Sequence, residues 1–499
     1  MRRVVRHPEG AQLIAYPDAM GGTLGTLADL LAHEMAGWFP GGVHVLPPFP
    51  SSADRGFAPL RYDRIDPRFG SWSDLEALAR LAPVTLDVMV NHLSRHSTEF
   101  RDFERHGRAS PHADLFLRPD KIWPDGEVPA EDLRRLVLRK PEHPFLDVAA
   151  SETGETDRVW ATFGSDRNES EQIDLDWRSP LTQAMYESWF ATLASAGISE
   201  VRLDAVGYLA KRAGTSCFMV EPEIWDAMGG LAGIAERHGL SVLPEVHAVP
   251  EVIERLDQHG YATYDFVLPG LMLEALRTAR PARLVAHLRA LPARRVTTLD
   301  SHDGVPIQPD LVGVVQEVDL IELTDELVRR GANVNRIVGA AERGIGFDAH
   351  QVNISYLDAA GGDDGMAVAR AVQLFAPGRP QVYYQGLLGG GNDNRAVEAT
   401  GEGRAINRTD YSLEDARASL RSEVSRRQQR LLELRAAHPA FAAERPVVDQ
   451  TGETGLSIRW DHDGAWCRLD VDLARVTAEV STSPDTWSGP DATLADGRV

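Results

Sequence analysis

Short apolar segments rich in β-branched residues recur through the first four fifths of the chain, and most are separated by segments in which apolar positions return at helical spacing, such as residues 24–35 and 73–81. Eight of the short segments have the length and residue types of buried strands: residues 12–16, 43–46, 84–90, 201–205, 241–245, 263–267, 296–299 and 381–384. Eight strands that alternate with helices predict an α/β fold, the (β/α)8 TIM barrel. On pattern alone, a doubly wound open sheet is the alternative.

The spacing of the predicted strands leaves two intervals that are too long for a single helix, one before residue 201 and one before residue 381. We therefore expect two inserted subdomains, over residues 93–176 and 304–361. These insertions divide the predicted barrel into three parts, residues 1–92, 177–303 and 362–439.

The last part of the chain, residues 440–499, has a different pattern. The runs SIRW, AWCRLDV and TAEV are short and strand-like, and turn residues separate them. This pattern predicts a small C-terminal β domain.

Composition narrows the possible partners. The 74 acidic residues outnumber the 52 basic ones, and the net charge of −22 repels nucleic acid and anionic lipid. We expect neither as a partner, and a site that handles phosphate would need its own cluster of cations. The two cysteines are too few for a disulfide framework, and no apolar leader or membrane-length run is evident. We expect a cytoplasmic monomer or homodimer.

Acidic residues end several of the predicted strands. Asp204 lies near the end of the fourth strand, Glu245 ends the fifth, and Asp303 follows the seventh. In a barrel, the carboxyl ends of the strands meet at one rim. The three carboxylates should then share a pocket with polar neighbours from the same segments, namely His92, Arg202 and His302.

Three clustered carboxylates suit glycosyl transfer. One attacks the anomeric carbon, and a second, kept protonated by its neighbours, donates to the leaving oxygen. Most acids are merely helix caps or surface charges, but three on strand ends with polar partners would be an odd coincidence. Metal catalysis is not expected, because no H-E-x-x-H or similar spacing is present.

Four segments resemble the signature regions of the α-amylase superfamily of glycoside hydrolases: DVMVNH (87–92), VRLDAVGY (201–208), PEVH (244–247) and LDSHD (299–303). This resemblance implies that Asp204 is the nucleophile, Glu245 the general acid/base and Asp303 the transition-state stabiliser. It also implies that Arg202, His92 and His302 hold the nucleophile and the glucosyl ring.

Further segments are similar to the sucrose phosphorylase group of that superfamily: GGVHVLPPFPSSADRGF (41–57), GYLAKRAGTSCFMVEP (207–222), FAPGRPQVYYQGLLGGGND (375–393) and EGRAINR (402–408). The similarity implies that Asp54 and Arg404 grip glucose hydroxyls, that Phe163 and Tyr208 form an apolar cradle, and that Gln172 lies near the sugar. It further implies a retaining phosphorylase that uses an α-glucoside and inorganic phosphate, yields α-glucose 1-phosphate and needs no cofactor.

Two loops depart from the sucrose phosphorylase pattern. A proline and an arginine position of the first insertion are here Arg139 and Lys140. In the second, the usual Leu-Asp-Leu-Tyr-Gln is Phe-Asp348-Ala-His350-Gln351. We expect all five numbered residues to bind the acceptor. The added donors suit a phosphate monoester, and the pattern resembles the sucrose 6'-phosphate phosphorylase branch.

Several alternatives stay open. Sucrose, glucosylglycerate and glucosylglycerol are other possible substrates, and Arg139 and Lys140 could instead bind inorganic phosphate or be solvated. A hydrolase or transglucosidase of the same superfamily is a second hypothesis. A non-catalytic sugar-binding protein is a third, from a different class.

Overall fold

Eight parallel strands form a nearly closed barrel in the computed structural model, which describes residues 7, 9–141, 143–165, 171–340 and 345–483. The barrel strands are β1 Gln12–Ala15, β2 Val43–Val45, β3 Val84–Met89, β4 Glu200–Asp204, β5 Ser241–Pro244, β6 Tyr264–Asp265, β7 Val296–Thr297 and β8 Arg379–Tyr383. Hydrogen bonding connects them in the order β6-β7-β8-β1-β2-β3-β4-β5. The predicted barrel is confirmed, and the doubly wound alternative is wrong, because β8 pairs with β1 and curls the sheet round.

Strand register places the carboxyl ends at one rim. Met89 of β3 pairs with Asp204 of β4, and Leu203 pairs with Pro244 of β5. Helices surround the barrel and bury their apolar faces on it, which is why the strands read as continuous apolar runs. The main helices outside the two insertions are Leu24–Ala32, Trp72–Leu81, Pro180–Ser195, Glu223–Arg237, Pro250–Gln258, Leu268–Thr278, Ala282–Ala290, Asp363–Phe375, Tyr384–Leu387, Asn394–Thr400, Leu413–Leu420 and Glu423–Ala437. The short helix Tyr356–Ala359 lies at the end of the second insertion.

The chain between β3 and β4 leaves the barrel as the first insertion. Its helices are Thr98–His106 and Ala130–Arg135, and its strands form two antiparallel pairs. One pair joins His92–Ser94 to Gln172–Asp174, and the other joins Phe145–Ala149 to Thr156–Trp160. Trp160 stacks on Trp123 with ring centroids 5.9 Å apart, so the insertion has a small apolar core of its own.

The second insertion lies between β7 and β8. Its three antiparallel strands are Val305–Pro306, Ala349–Asn353 and Asn333–Arg336, and its helix is Glu317–Arg329. Both insertions stand above the carboxyl rim and extend the walls of the barrel mouth.

The C-terminal β sheet packs on the outside of the barrel. It is a four-stranded antiparallel meander of Val447–Thr451, Gly455–His462, Ala465–Asp472 and Thr477–Thr482; residues 484–499 of the predicted domain lie outside the described residues. The indole nitrogen of buried Trp460 donates to the Phe375 carbonyl oxygen over 2.8 Å, which ties the sheet to a barrel helix. Within the described ranges, no helix has the length and apolarity needed to cross a bilayer.

Candidate active site

The barrel mouth and both insertions enclose a cavity of about 760 Å³. Most of the residues predicted from the sequence line it together: Asp54, His92, Arg139, Phe163, Gln172, Asp204, Tyr208, Glu245, His302, Asp303, His350, Gln351 and Arg404. Asp204, Glu245 and Asp303 therefore meet at one rim, because each stands at or just beyond the end of a parallel strand.

Arg202 lies beneath the carboxylates rather than in the cavity lining. Its Nη1 donates to Asp204 Oδ1 over 2.9 Å, and its Nη2 lies 3.1 Å from Glu245 Oε1. Buried Asp87 accepts a further hydrogen bond from Nη1 and is itself 2.7 Å from His44 Nε2. A network inside the barrel thus orients one guanidinium between two of the three acids.

Asp204 and Glu245 titrate as a pair. Burial and the negative charge of Glu245 raise the pKa of Asp204 well above its usual range. Burial also opposes ionisation of Glu245, but Arg202 and His247 outweigh it and lower the pKa of Glu245. Of the two carboxyl groups, Asp204 therefore holds a proton more readily than Glu245.

The surroundings of Asp303 favour its ionised form. Burial raises its pKa, but His302, Arg404 and Arg408 together hold that pKa far below the usual range. Arg404 Nη1 lies 3.2 Å from Asp303 Oδ1 and 3.5 Å from Asp54 Oδ2.

Asp54 and its neighbour Arg55 have left-handed backbones, with φ of 47° and 48°. Asp54 Oδ1 accepts from Arg408 Nη1 over 3.3 Å, and the Arg55 guanidinium donates to the Arg408 carbonyl oxygen. Backbone strain of this kind persists where the surroundings fix it and clusters at functional sites. The arrangement presents Asp54 and Arg404 side by side on the cavity wall.

The two predicted histidines and the aromatic residues form the rest of the inner wall. His302 stacks on Phe57 with centroids 4.9 Å apart, and burial lowers the pKa of His302 to about 4, so it is neutral at pH 7. Phe163 contacts Tyr208 with centroids 5.1 Å apart and lies 5.4 Å from His92. Among the described residues, no partner bonds the buried Nδ1 atoms of His92 and His302 or Gln351 Oε1. Polar atoms without partners next to an apolar platform suit a ligand with many hydroxyl groups.

Arg139 and His350 meet at the outer part of the cavity. Arg139 Nη1 is 2.6 Å from His350 Nε2, and His350 Nδ1 is 2.6 Å from the Gln308 carbonyl oxygen. A carbonyl only accepts and a guanidinium only donates, so His350 carries its proton on Nδ1 and is neutral. Burial and Arg139 lower the pKa of His350 well below its usual value, in agreement with this tautomer.

The structure places three of the expected acceptor-loop residues against protein partners. His350 lines the cavity, but its Nε2 accepts from Arg139 instead of adding a donor. Lys140 does not line the cavity, because its Nζ binds both oxygens of Glu171, at 2.9 and 2.8 Å. Asp348 does not line it either, because its carboxylate binds the Arg336 guanidinium.

Sequence reasoning missed several residues that build the site. Asp310 contacts His247, Arg408 lies 3.9 Å from Asp303, and Phe57 stacks on His302. The available sequence signal for Asp310 is its position seven residues after Asp303, in the segment HDGVPIQPDL. Among the described residues, no group of three or more His, Cys, Asp or Glu is arranged to hold a metal ion.

Comparison with known proteins agrees with this geometry. Residues 41–258 match the α-amylase catalytic domain. A sucrose 6(F)-phosphate phosphorylase of Thermoanaerobacterium thermosaccharolyticum is 43% identical over 464 residues, which cover 93% of this chain and 94% of the relative. The chain belongs to the sucrose phosphorylase group of the α-amylase superfamily.

Other members of the group cover the chain equally well. A glucosylglycerol phosphorylase of Marinobacter adhaerens is 38% identical, covering 94% of this chain and 96% of the relative. A sucrose phosphorylase of Streptococcus mutans is 36% identical, covering 95% and 98%. The crystal structure of a sucrose 6F-phosphate phosphorylase from Thermoanaerobacter thermosaccharolyticum superimposes with a TM-score of 0.92 at 42% identity, covering 96% of this chain and 97% of that one. This group member is therefore a glycoside phosphorylase with the α-amylase barrel.

Proposed function

We propose that the enzyme cleaves sucrose 6'-phosphate with inorganic phosphate, giving α-glucose 1-phosphate and fructose 6-phosphate. The observation that carries the choice of substrate is the Arg139–His350 pair on the outer wall of the cavity. Because its partner His350 is neutral, the Arg139 guanidinium keeps its full positive charge. A guanidinium binds a phosphate monoester through paired hydrogen bonds. The likeness to the sucrose 6(F)-phosphate phosphorylase supports the same choice.

The proposed chemistry is a double displacement that retains configuration. Asp204 attacks the anomeric carbon, the bond to the fructose oxygen breaks, and Glu245 gives that oxygen its proton. An oxygen of inorganic phosphate then attacks the glucosyl carbon and displaces Asp204, while Glu245 takes the phosphate proton. Asp303 stabilises the positive charge that develops on the sugar in both steps.

The proton that Asp204 and Glu245 share has to lie on Glu245 when Asp204 attacks. Both carboxylates contact the Arg202 guanidinium, at 2.9 and 3.1 Å, so the same cation supports either location. We assign Arg404, Asp54, His92, His302 and Gln172 to the glucose hydroxyls and the Phe163–Tyr208 pair to the apolar face of the ring. Gln351 and Arg139 belong to the acceptor side.

The test compares three donors. Sucrose 6'-phosphate, sucrose and glucosylglycerate are each supplied with inorganic phosphate, and kcat/KM is taken from the release of glucose 1-phosphate. We expect sucrose 6'-phosphate to lead by at least tenfold, and a clear preference for either other donor contradicts the substrate assignment. Release of free glucose at a comparable rate without phosphate contradicts the phosphorylase reaction, and a β-anomeric product in the proton NMR spectrum contradicts retention.

Three further statements belong to the same proposal. We propose that residues 93–176 and 304–361 are the two inserted units and that residues 440–499 form the C-terminal unit. The buried free thiols of Cys217 and Cys467 suit a reducing cytoplasm. Light scattering of the purified enzyme tests the expected monomer or homodimer.

A further inference from the structure

Asp310 is a buried carboxylate that does not line the cavity but contacts a residue that does. It is 3% exposed, and its Oδ2 lies 3.0 Å from His247 Nδ1. Two residues earlier in the chain, the Gln308 carbonyl oxygen accepts a hydrogen bond from His350 Nδ1. One short segment of the second insertion therefore positions two histidines of the site.

The second ring nitrogen of His247 faces Glu245. The Nε2 atom lies 3.4 Å from Glu245 Oε1, and the ring stacks on Phe266 with centroids 4.0 Å apart and planes 15° apart. Both nitrogens thus face carboxylates, and only the doubly protonated ring donates to both. Burial disfavours the charge, but Asp310 and Glu245 prevail and raise the pKa of His247 to about 10.

Among the described residues, the other groups that contact His247 bring no further negative charge. His350 approaches edge-on at 6.1 Å and is neutral, and its own partner Arg139 is cationic. Arg202 contacts the same oxygen of Glu245, Oε1, over 3.1 Å. Asp310 is therefore the counter-charge that offsets the imidazolium when Glu245 is protonated.

We propose, resting on the phosphorylase function above, that Asp310 is a positioning residue for the acid/base step, which fixes the His247 ring and keeps its second N–H on Glu245. The cation beside Glu245 makes the proton that Asp204 and Glu245 share easier to release. Without it, two buried carboxylates would retain that proton to higher pH. A smaller fraction of Glu245 would then be ionised and able to take the proton when phosphate attacks the glucosyl-enzyme.

The test is the Asp310→Asn variant, whose amide oxygen still accepts from His247 Nδ1 but carries no charge. The pH dependence of kcat/KM is measured with sucrose 6'-phosphate and with α-glucosyl fluoride. The alkaline limb with the disaccharide reports loss of the shared proton in the free enzyme, and we expect it to move up by about one pH unit. Fluoride leaves without a proton, so at pH 7 its kcat/KM stays within about threefold of the parent value.

Two further variants sharpen the result. His247→Gln removes the cation directly and should shift the alkaline limb of kcat/KM in the same way. It replaces Asp310→Asn as the test if that variant does not fold. Asp325→Asn, an exposed carboxylate in the same insertion, leaves both profiles unchanged. A profile for Asp310→Asn that superimposes on the parent, or an equal loss with both donors, overturns the proposal. Failure of the parent enzyme to form glucose 1-phosphate instead overturns the proposed function. Asp310 is then tested by the acid limb of kcat for hydrolysis of α-glucosyl fluoride, in which Glu245 takes the proton of water, and Asp310→Asn should move that limb up.

Discussion

Arg139→Ala separates recognition of the leaving group from bond cleavage. The guanidinium is partly buried on the outer cavity wall, with Cζ 5.8 Å from the centre of the Phe163 ring. It lies on the first insertion, and within the described residues it makes no hydrogen bond or ion pair with Asp204, Glu245 or Asp303. The substitution should therefore weaken binding of a phosphorylated leaving group and leave the carboxylates in place.

The magnitude follows from the hydrogen bonds that the guanidinium can make. Nη1 already donates to His350, so the remaining N–H groups supply the contact with a phosphate monoester. A hydrogen bond to a charged group contributes about 1.5–3 kcal/mol, and two of them in a cavity open to solvent contribute about 3 kcal/mol. We expect kcat/KM for sucrose 6'-phosphate to fall by roughly 150-fold and that for sucrose by less than about fivefold.

The assay measures both donors at saturating phosphate in parallel. Arg158→Ala is the matched control, because Arg158 lies in the same insertion and pairs on the surface with Asp147. It should leave both values unchanged. An equal loss with sucrose and sucrose 6'-phosphate in Arg139→Ala would refute the assignment of Arg139 to the leaving-group phosphate.

Three other changes test separate parts of the structure. Asp204→Asn should lower kcat by at least about 10⁴-fold with an unchanged thermal midpoint, and turnover near the parent rate would remove the covalent mechanism. Trp460→Ala should lower the free energy of unfolding in urea by about 3–5 kcal/mol, because it leaves a cavity and removes the hydrogen bond to the Phe375 carbonyl oxygen. The folded variant should keep the parent kcat at low temperature, and a loss of kcat would contradict a purely structural role. His302 has a folded pKa of about 4 against about 6.5 unfolded, so the unfolded chain binds more protons between these values and stability falls as the pH drops below about 6.5. From pH 7 to pH 5 this contributes a loss of about 2 kcal/mol that His302→Gln should lack, and equal slopes in the two proteins would argue against a buried neutral His302.

The sequence predicts the barrel and the place of the three acids because both depend on short-range rules. β-branched runs of strand length form the barrel, and parallel strands bring Asp204, Glu245 and Asp303 to one rim whatever the loops do. The orientations of Lys140 and Asp348 could not be predicted in this way. Each points at a partner, Glu171 or Arg336, that only the folded loops bring close.

The protonation states of His350 and His247 also could not be predicted from the sequence. A histidine in an acceptor loop reads as a donor, but His350 accepts because the Gln308 carbonyl oxygen occupies its other nitrogen. Asp310 and His247 are distant in the chain, and no local pattern joins them. Tertiary contact, not residue type, decides the charge that each ring carries.

The cavity has walls of two different origins. Three acids, Asp204, Glu245 and Asp303, belong to the barrel rim. Arg139 and His350 lie instead on the two insertions, which follow β3 and β7. Substitutions confined to the two insertions can therefore change the leaving group that the enzyme accepts, while the three carboxylates at the barrel rim stay in place. A small mutant library over residues 137–140 and 345–351 is therefore a direct way to obtain variants that release a different alcohol from an α-glucoside.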